Sequence, residues 1–179
     1  IDLWEYNNYS TAVGTIGRLA RIVAYDKSRD LALLKVEDEE RPMPHVATIY
    51  PEDIDDGPWI FQTVYAVGAG LGKPPFPTMG LLAGYGRDQD GNSLYLSTSP
   101  IIYGNSGGSL YVYSPRNHYE LIGVPSMVSA YGWGNVVSHM AWSRPVSEIR
   151  VFLRNAGYGV KILGDEPEEE EEEVEDNDQ

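Results

Sequence analysis

Gly104-Asn105-Ser106-Gly107-Gly108, running directly into Ser109-Leu110-Tyr111-Val112-Tyr113, is the stretch on which the reading of this chain turns. A serine set among glycines lets the backbone turn tightly, leaves the hydroxyl exposed and lets neighbouring N–H groups converge on one point. Donors fixed where negative charge develops are what an oxyanion hole requires. A bare G-x-S-x-G is more often a plain glycine turn between strands, but the extended G-N-S-G-G entering an apolar strand is much rarer. The same residues fit the nucleophile elbow of α/β-hydrolases, yet that elbow needs a helix directly after the serine. Ser109–Tyr113 reads as a strand, so the elbow is set aside.

Strand character continues on both sides of the motif. Short β-branched and aromatic runs occur at Thr11–Ile16, Leu19–Tyr25, Leu31–Val36, Val46–Tyr50, Trp59–Val67, Met79–Gly86, Leu94–Ser97, Tyr119–Val128 and Val136–Trp142. Turn residues separate them, as in Asp26-Lys27-Ser28, Asp88-Gln89-Asp90-Gly91-Asn92 and Ser114-Pro115-Arg116-Asn117. Many short strands at spacings of about 8–12 residues predict an all-β barrel or sandwich. One helix is predicted, at Pro145–Asn155. Proline suits its first position, Val146, Ile149, Phe152 and Leu153 make one apolar stripe, and Gly157 stops it.

Charge is concentrated at one end. The chain of 179 residues carries a formal net charge of −14, and Asp165–Gln179 holds 11 of its 27 acidic residues and no basic one. The remaining 164 residues set 16 acidic against 13 basic side chains, a net −3. A nearly neutral body excludes a nucleic-acid binder, which needs a net basic face. The run 165–179 cannot bury apolar surface and repels itself, so a disordered acidic tail is expected, serving solubility or, less simply, docking a basic partner. No apolar run approaches the roughly 20 residues of a membrane helix, so no membrane partner is expected. There is no cysteine and no H-E-x-x-H spacing, so neither a metal nor a cofactor is expected.

A second motif, Ala24-Tyr25-Asp26-Lys27-Ser28-Arg29-Asp30-Leu31-Ala32-Leu33-Leu34-Lys35-Val36, places Asp30 immediately before an apolar strand. Its carboxylate is expected at a strand mouth facing the core, where a buried charge must be paired. Asp26 reads as a turn cap. Together the two motifs resemble the chymotrypsin-like serine proteases, in the Asn form typical of the bacterial high-temperature-requirement (Deg-type) branch. Val64–Gly68, Glu120–Val124 and Met140–Arg150 keep that family's order, and the resemblance spans roughly residues 11–163. It implies a chymotrypsin-like double β-barrel with a C-terminal helix at about 145–155. The first barrel would be partial up to about residue 45 and the second would run from about 46 to 142, within one protease domain of residues 1–164. It implies a serine endopeptidase acting on polypeptides, with a periplasmic or secreted setting. Ser106 would be the nucleophile, Asp30 the triad aspartate, and Gly104, Asn105 and Ser106 the oxyanion hole. The run after Gly164 departs from the Deg-type pattern, and no PDZ domain is expected there.

The triad base is the gap. The family order is His, Asp, Ser, and the three histidines, His45, His118 and His139, all follow Asp30. His45 falls in the connection between barrels, His118 is expected exposed in a hairpin turn, and His139 lies toward the specificity region. The expectation is a chain truncated at its N-terminus, whose histidine lies upstream of Ile1, inactive alone. The alternative is a catalytically inactive protease-fold binding or structural module. For the specificity pocket the expected walls are Ile101, Ile102 and Tyr103 on one side and Ser126, Met127 and Val128 on the other. They favour small or medium apolar residues before the cut, unless they are simply barrel core.

Overall fold

A computed structural model describes residues 1–7, 11–37, 43, 45–52 and 58–166. Eleven strands and one α-helix follow one another along the described chain. Strands β1 (Asp2–Tyr6) and β2 (Ala12–Gly17) form one antiparallel ribbon, and β3 (Ala20–Asp26) and β4 (Leu31–Val36) another. The short β5 (Thr48–Ile49) leads to β6 (Thr63–Gly68), β7 (Phe76–Arg87), β8 (Ser93–Ser97), β9 (Ser109–Tyr113), β10 (Tyr119–Tyr131) and β11 (Asn135–Pro145). Helix α1 (Val146–Asn155) comes next, and a π-helical turn at Gly159–Leu163 follows it.

Strands β6 to β11 close on themselves. Their hydrogen-bonded order is β6, β7, β8, β11, β10, β9 and back to β6, and every pairing in the ring is antiparallel. Closure removes open edges, which an antiparallel sheet otherwise leaves for unwanted pairing. Of the strands in this sheet among the described residues, β5 alone lies outside the ring, parallel to the start of β10 with Thr48 opposite Glu120. The interior follows from period-two alternation. Val64 and Ala66 point inward from β6, Leu110 and Val112 from β9, and with Leu82, Ile101, Ile122 and Ala141 they fill a closed core.

Helix α1 forms as expected except at its start: Pro145, expected at the first helical position, is its N-cap in extended geometry. Its buried Ile149, Phe152 and Leu153 pack against Ala24, Leu31 and Leu33 of the β3–β4 ribbon and Val124 of β10. Burying each such side chain is worth about 1.5–3 kcal/mol. The helix is therefore a bracket between the ribbon and the ring.

The all-β expectation with one C-terminal helix holds, with local corrections. The run Asp2–Tyr6 is a strand that the sequence reading missed. The expected strand 59–67 begins only at Thr63, because Phe61 takes a left-handed φ of 73° in a turn where the Gln62 N–H reaches the Trp59 carbonyl. Most of the expected acidic tail, and part of the expected connection at residues 42–47, lie outside the described residues. Asp165 does not: both its carboxylate oxygens accept from the Arg154 guanidinium, at 2.9 and 3.0 Å.

Candidate active site

The Ser106 loop is built from its own neighbours. Gly104 (φ 97°) and Gly107 (φ 77°) sit in left-handed backbone that disfavours other residues. A Cβ on Gly104 would lie 2.5 Å from the Ala69 carbonyl oxygen, and one on Gly108 would lie 2.3 Å from that of Val67. Asn105 is buried and fills the space left by Gly68 and Gly70, where added Cβ atoms would meet its amide at 2.7 and 3.0 Å. Its Oδ1 accepts from the Ile102 N–H at 3.0 Å, which ties the loop shut.

Three backbone donors were candidates for an oxyanion hole. The Asn105 N–H is spent on the Ile102 carbonyl at 3.0 Å, so it closes the loop together with the amide side chain and is not an open donor. The N–H groups of Gly104 and Ser106 have no acceptor among the described residues. Unspent donors on an exposed loop are what a developing oxyanion can use.

Asp30 arrives from far away in sequence. It ends the turn 27–30 between β3 and β4 with a left-handed φ of 55°, and it is exposed. The expectation that its carboxylate faces the core is therefore corrected. The inward cap is Asp26, whose Oδ1 accepts the Arg29 N–H at 3.0 Å and whose Oδ2 accepts from the Arg29 guanidinium at 2.7 Å. The Arg29 N–H and then its guanidinium hold the Asp26 carboxyl below its usual range. Asp30 turns outward to Ser126 on β10, whose Oγ donates to Asp30 Oδ2 at 2.6 Å. The Ser106 hydroxyl donates to the carbonyl of the same Ser126 at 3.2 Å. Ser106 and Asp30 thus meet on one serine. The sequence reading had Ser126 as a pocket wall and carried no local sign of this bridging role.

No imidazole touches either group among the described residues. His118 Nε2 lies 2.8 Å from Glu120 Oε1, and its Nδ1 lies 3.1 Å from the Arg116 carbonyl oxygen. It is half-buried where exposure was expected, because its ring reaches back to Glu120, which has no solvent exposure. A buried carboxylate must be paired, and Arg116 supplies the charge, from Nε and Nη2. His45 and His118 line a cavity of about 580 Å³ with Tyr111 and Tyr119, on a different set of residues from the Ser106 loop. His139 is exposed on β11.

The six expected pocket residues divide. Ile101 is sealed in the ring core and Val128 packs against it, which is the core alternative realised. Ile102 is half-buried beside Asn105, while Tyr103 and Met127 are exposed. The Ile101 N–H reaches the Ser138 carbonyl at 2.9 Å, tying the loop before Ser106 to β11.

Similarity to known proteins agrees with this geometry. The family model for the trypsin-like peptidase domain matches residues 5–116. A "Probable periplasmic serine endoprotease DegP-like" from Rhizobium meliloti (strain 1021) is 32% identical over 120 residues, 65% of this chain and 22% of that protein. Among solved structures, "HtrA-type protease AlgW with decapeptide" superposes with a TM-score of 0.62 at 22% identity, over 86% of this chain and 44% of that one. "HtrA-type protease AlgW with tripeptide" gives 0.60 at 24% identity, over 89% and 52%. The chain therefore spans about a fifth of that curated relative and about half of those solved chains. These likenesses, the closed ring and the helix after it make the fold chymotrypsin-like and all-β. The chain belongs to the trypsin-like peptidase domain family, with its likenesses on the Deg/HtrA side of it.

Proposed function

We propose that this chain carries the nucleophile and aspartate of a serine endopeptidase that hydrolyses peptide bonds through a Ser-His-Asp triad. Ser106 Oγ attacks the scissile carbonyl, and the N–H groups of Gly104 and Ser106 hold the oxyanion. Asp30 orients the imidazole that takes the serine proton and stabilises the cation formed. His45, His118 and His139 do not fill the base position, and the reading places that histidine in sequence upstream of this chain. The domain runs from 1 to 164, with the barrel boundary near residue 45, and its substrates are polypeptides met in a periplasmic or secreted setting. The observation that carries the reading is the convergence of Ser106 and Asp30 on Ser126 from opposite ends of the sequence. The solved relatives with tripeptide and with decapeptide support the substrate class.

The test is peptide hydrolysis by the full-length protein. Ser106→Ala should abolish turnover with the fold intact, and Asp30→Asn should lower kcat about 10⁴-fold, or about 5.4 kcal/mol. An unchanged kcat in Ser106→Ala removes it as nucleophile. A second reading, a binding module without catalysis, is favoured by the absence of an imidazole on Ser106 among the described residues. A fluorophosphonate probe separates the two. Labelling of wild type and not of Ser106→Ala supports the enzyme, and no labelling of the full-length protein supports the module.

A further inference from the structure

The turn that carries Asp30 is fastened to the ring and to α1 by contacts that neither proposed reading uses. Arg29, next to Asp30, donates from Nε to Glu148 Oε2 on the first turn of α1 at 2.9 Å, across 119 residues of sequence. The other oxygen of Glu148 accepts the Ser93 N–H at 2.8 Å, at the start of β8. Asn92, just before it, donates from Nδ2 to the carbonyl and hydroxyl of Ser28 at 3.1 and 3.0 Å, and Asp90 Oδ2 accepts from the Ser28 hydroxyl at 3.3 Å. Ser28 and Arg29, the two residues before Asp30, are thus gripped from outside the ribbon.

The geometry of Glu148 suits a fixed anchor. Its side chain is 12% exposed and that of Arg29 is 23%. Burial pushes the Glu148 carboxyl up, but the Ser93 N–H and the Arg29 guanidinium outweigh it and hold it below its usual range, so the carboxylate stays charged. Charge-assisted bonds of this kind are about twice as strong as neutral ones. Asp30, at a φ of 55°, is in a conformation that persists only where the surroundings over-determine it.

We propose that Glu148 is a positioning residue for the aspartate of the triad: through Arg29 it holds the turn so that the Asp30 carboxylate stays on Ser126. The inference rests on the catalytic reading of Asp30, and it assigns to α1 a part in the site beyond packing. A misplacement of about 1 Å from a change far from the chemistry can cost about 100-fold in rate.

Two measurements test it and separate its failure from that of the triad reading. In the full-length protein, Glu148→Gln should lower kcat about 10- to 100-fold with KM unchanged, and should add no further loss in an Asp30→Asn background. Equal losses in both backgrounds, or a change in KM alone, would overturn it, because a merely structural role is additive. In the 179-residue chain, amide hydrogen exchange at Arg29 and Leu31 should quicken at least tenfold in Glu148→Gln while Ser106-loop amides keep their rates. Unchanged exchange there overturns the latch whatever the kinetics. If Asp30→Asn leaves kcat intact, the triad reading falls and the exchange result alone decides whether the latch exists. Arg29→Lys, which keeps the charge and loses the fork, should give the same pattern and serves if Glu148→Gln does not fold.

Discussion

The two halves of the site are held by opposite means. The Ser106 loop is fixed mainly by its own neighbours: its glycines admit close backbone approach, one buried amide closes it on Ile102, three residues away, and backbone bonds from Ile101 and Gly107 seat it on Ser138 and Pro125. The Asp30 turn is fixed from without, by Asn92, Ser126 and Glu148, which lie 64 to 119 residues away in sequence. Local packing gives the first a rigidity that breaks on a steric clash or on loss of its buried amide. Distributed polar contacts give the second a position that can be lost piece by piece, each bond worth about 1 kcal/mol or, where charged, about 1.5–3.

That contrast can be broken most forcefully at Gly108. Gly108→Ala should destabilise by about 3 kcal/mol, since its methyl meets the Val67 carbonyl oxygen of β6 at 2.3 Å and that of Asn105 in the loop itself at 2.9 Å, both backbone atoms. Urea unfolding checks it, and a loss below about 1 kcal/mol would mean the loop is pliant after all. A smaller effect is expected for Asn105→Ala, about 1–3 kcal/mol, from the lost buried amide and a half-buried Ile102 N–H left without its acceptor. Here the midpoint in urea should fall with an unchanged slope.

The smallest effect concerns acid. Burial pushes the Asp88 carboxyl up, but Arg144, at 2.6 Å, and Asn92 outweigh it and hold the value at about 2, below the ordinary 3.8. A depressed carboxyl contributes stability that is full above about pH 4 and is lost as pH falls toward about 2. Asp88 caps the β7–β8 turn that holds Ser28, through its acceptance of the Asn92 N–H at 2.9 Å. Acid should therefore speed amide exchange in the Asp30 turn before it does so in the Ser106 loop. In Asp88→Asn the decline of stability between pH 4 and 2 should be shallower than in wild type. Identical acid profiles would show that this ion pair is not what sets them.

What could be read in advance follows the same division. The glycine loop, the alternating strands of the ring and the stripe of α1 are local patterns, and they appear where the sequence places them. Asp2–Tyr6 was missed because a ribbon strand five residues long has too few alternations to stand out at a chain start. The bond from Ser126 to Asp30 and the one from Arg29 to Glu148 depend on which elements meet in space, and no spacing in the sequence announces that. The assignment of Ile101 to a pocket went astray for a related reason. An apolar residue beside a catalytic loop has the same composition whether it faces a substrate or the ring core.

The ribbons β1–β2 and β3–β4 carry a colloidal consequence. Unlike the ring, they keep open edges among the described residues, and they present Val13, Ile22 and Tyr25 to solvent at 62 to 76% exposure. Such surfaces are templates for self-association. Against this stands a net charge of −14, most of it in the final fifteen residues. Mutual repulsion among like-charged molecules keeps the ribbons of neighbouring copies apart, and it weakens as salt shortens the screening length to about 8 Å near 0.15 M. Close to the isoelectric point of about 4.4 it vanishes. The acidic run can thus govern how concentrated the protein becomes before it clouds, through its charge and apart from the Asp165 bonds to Arg154.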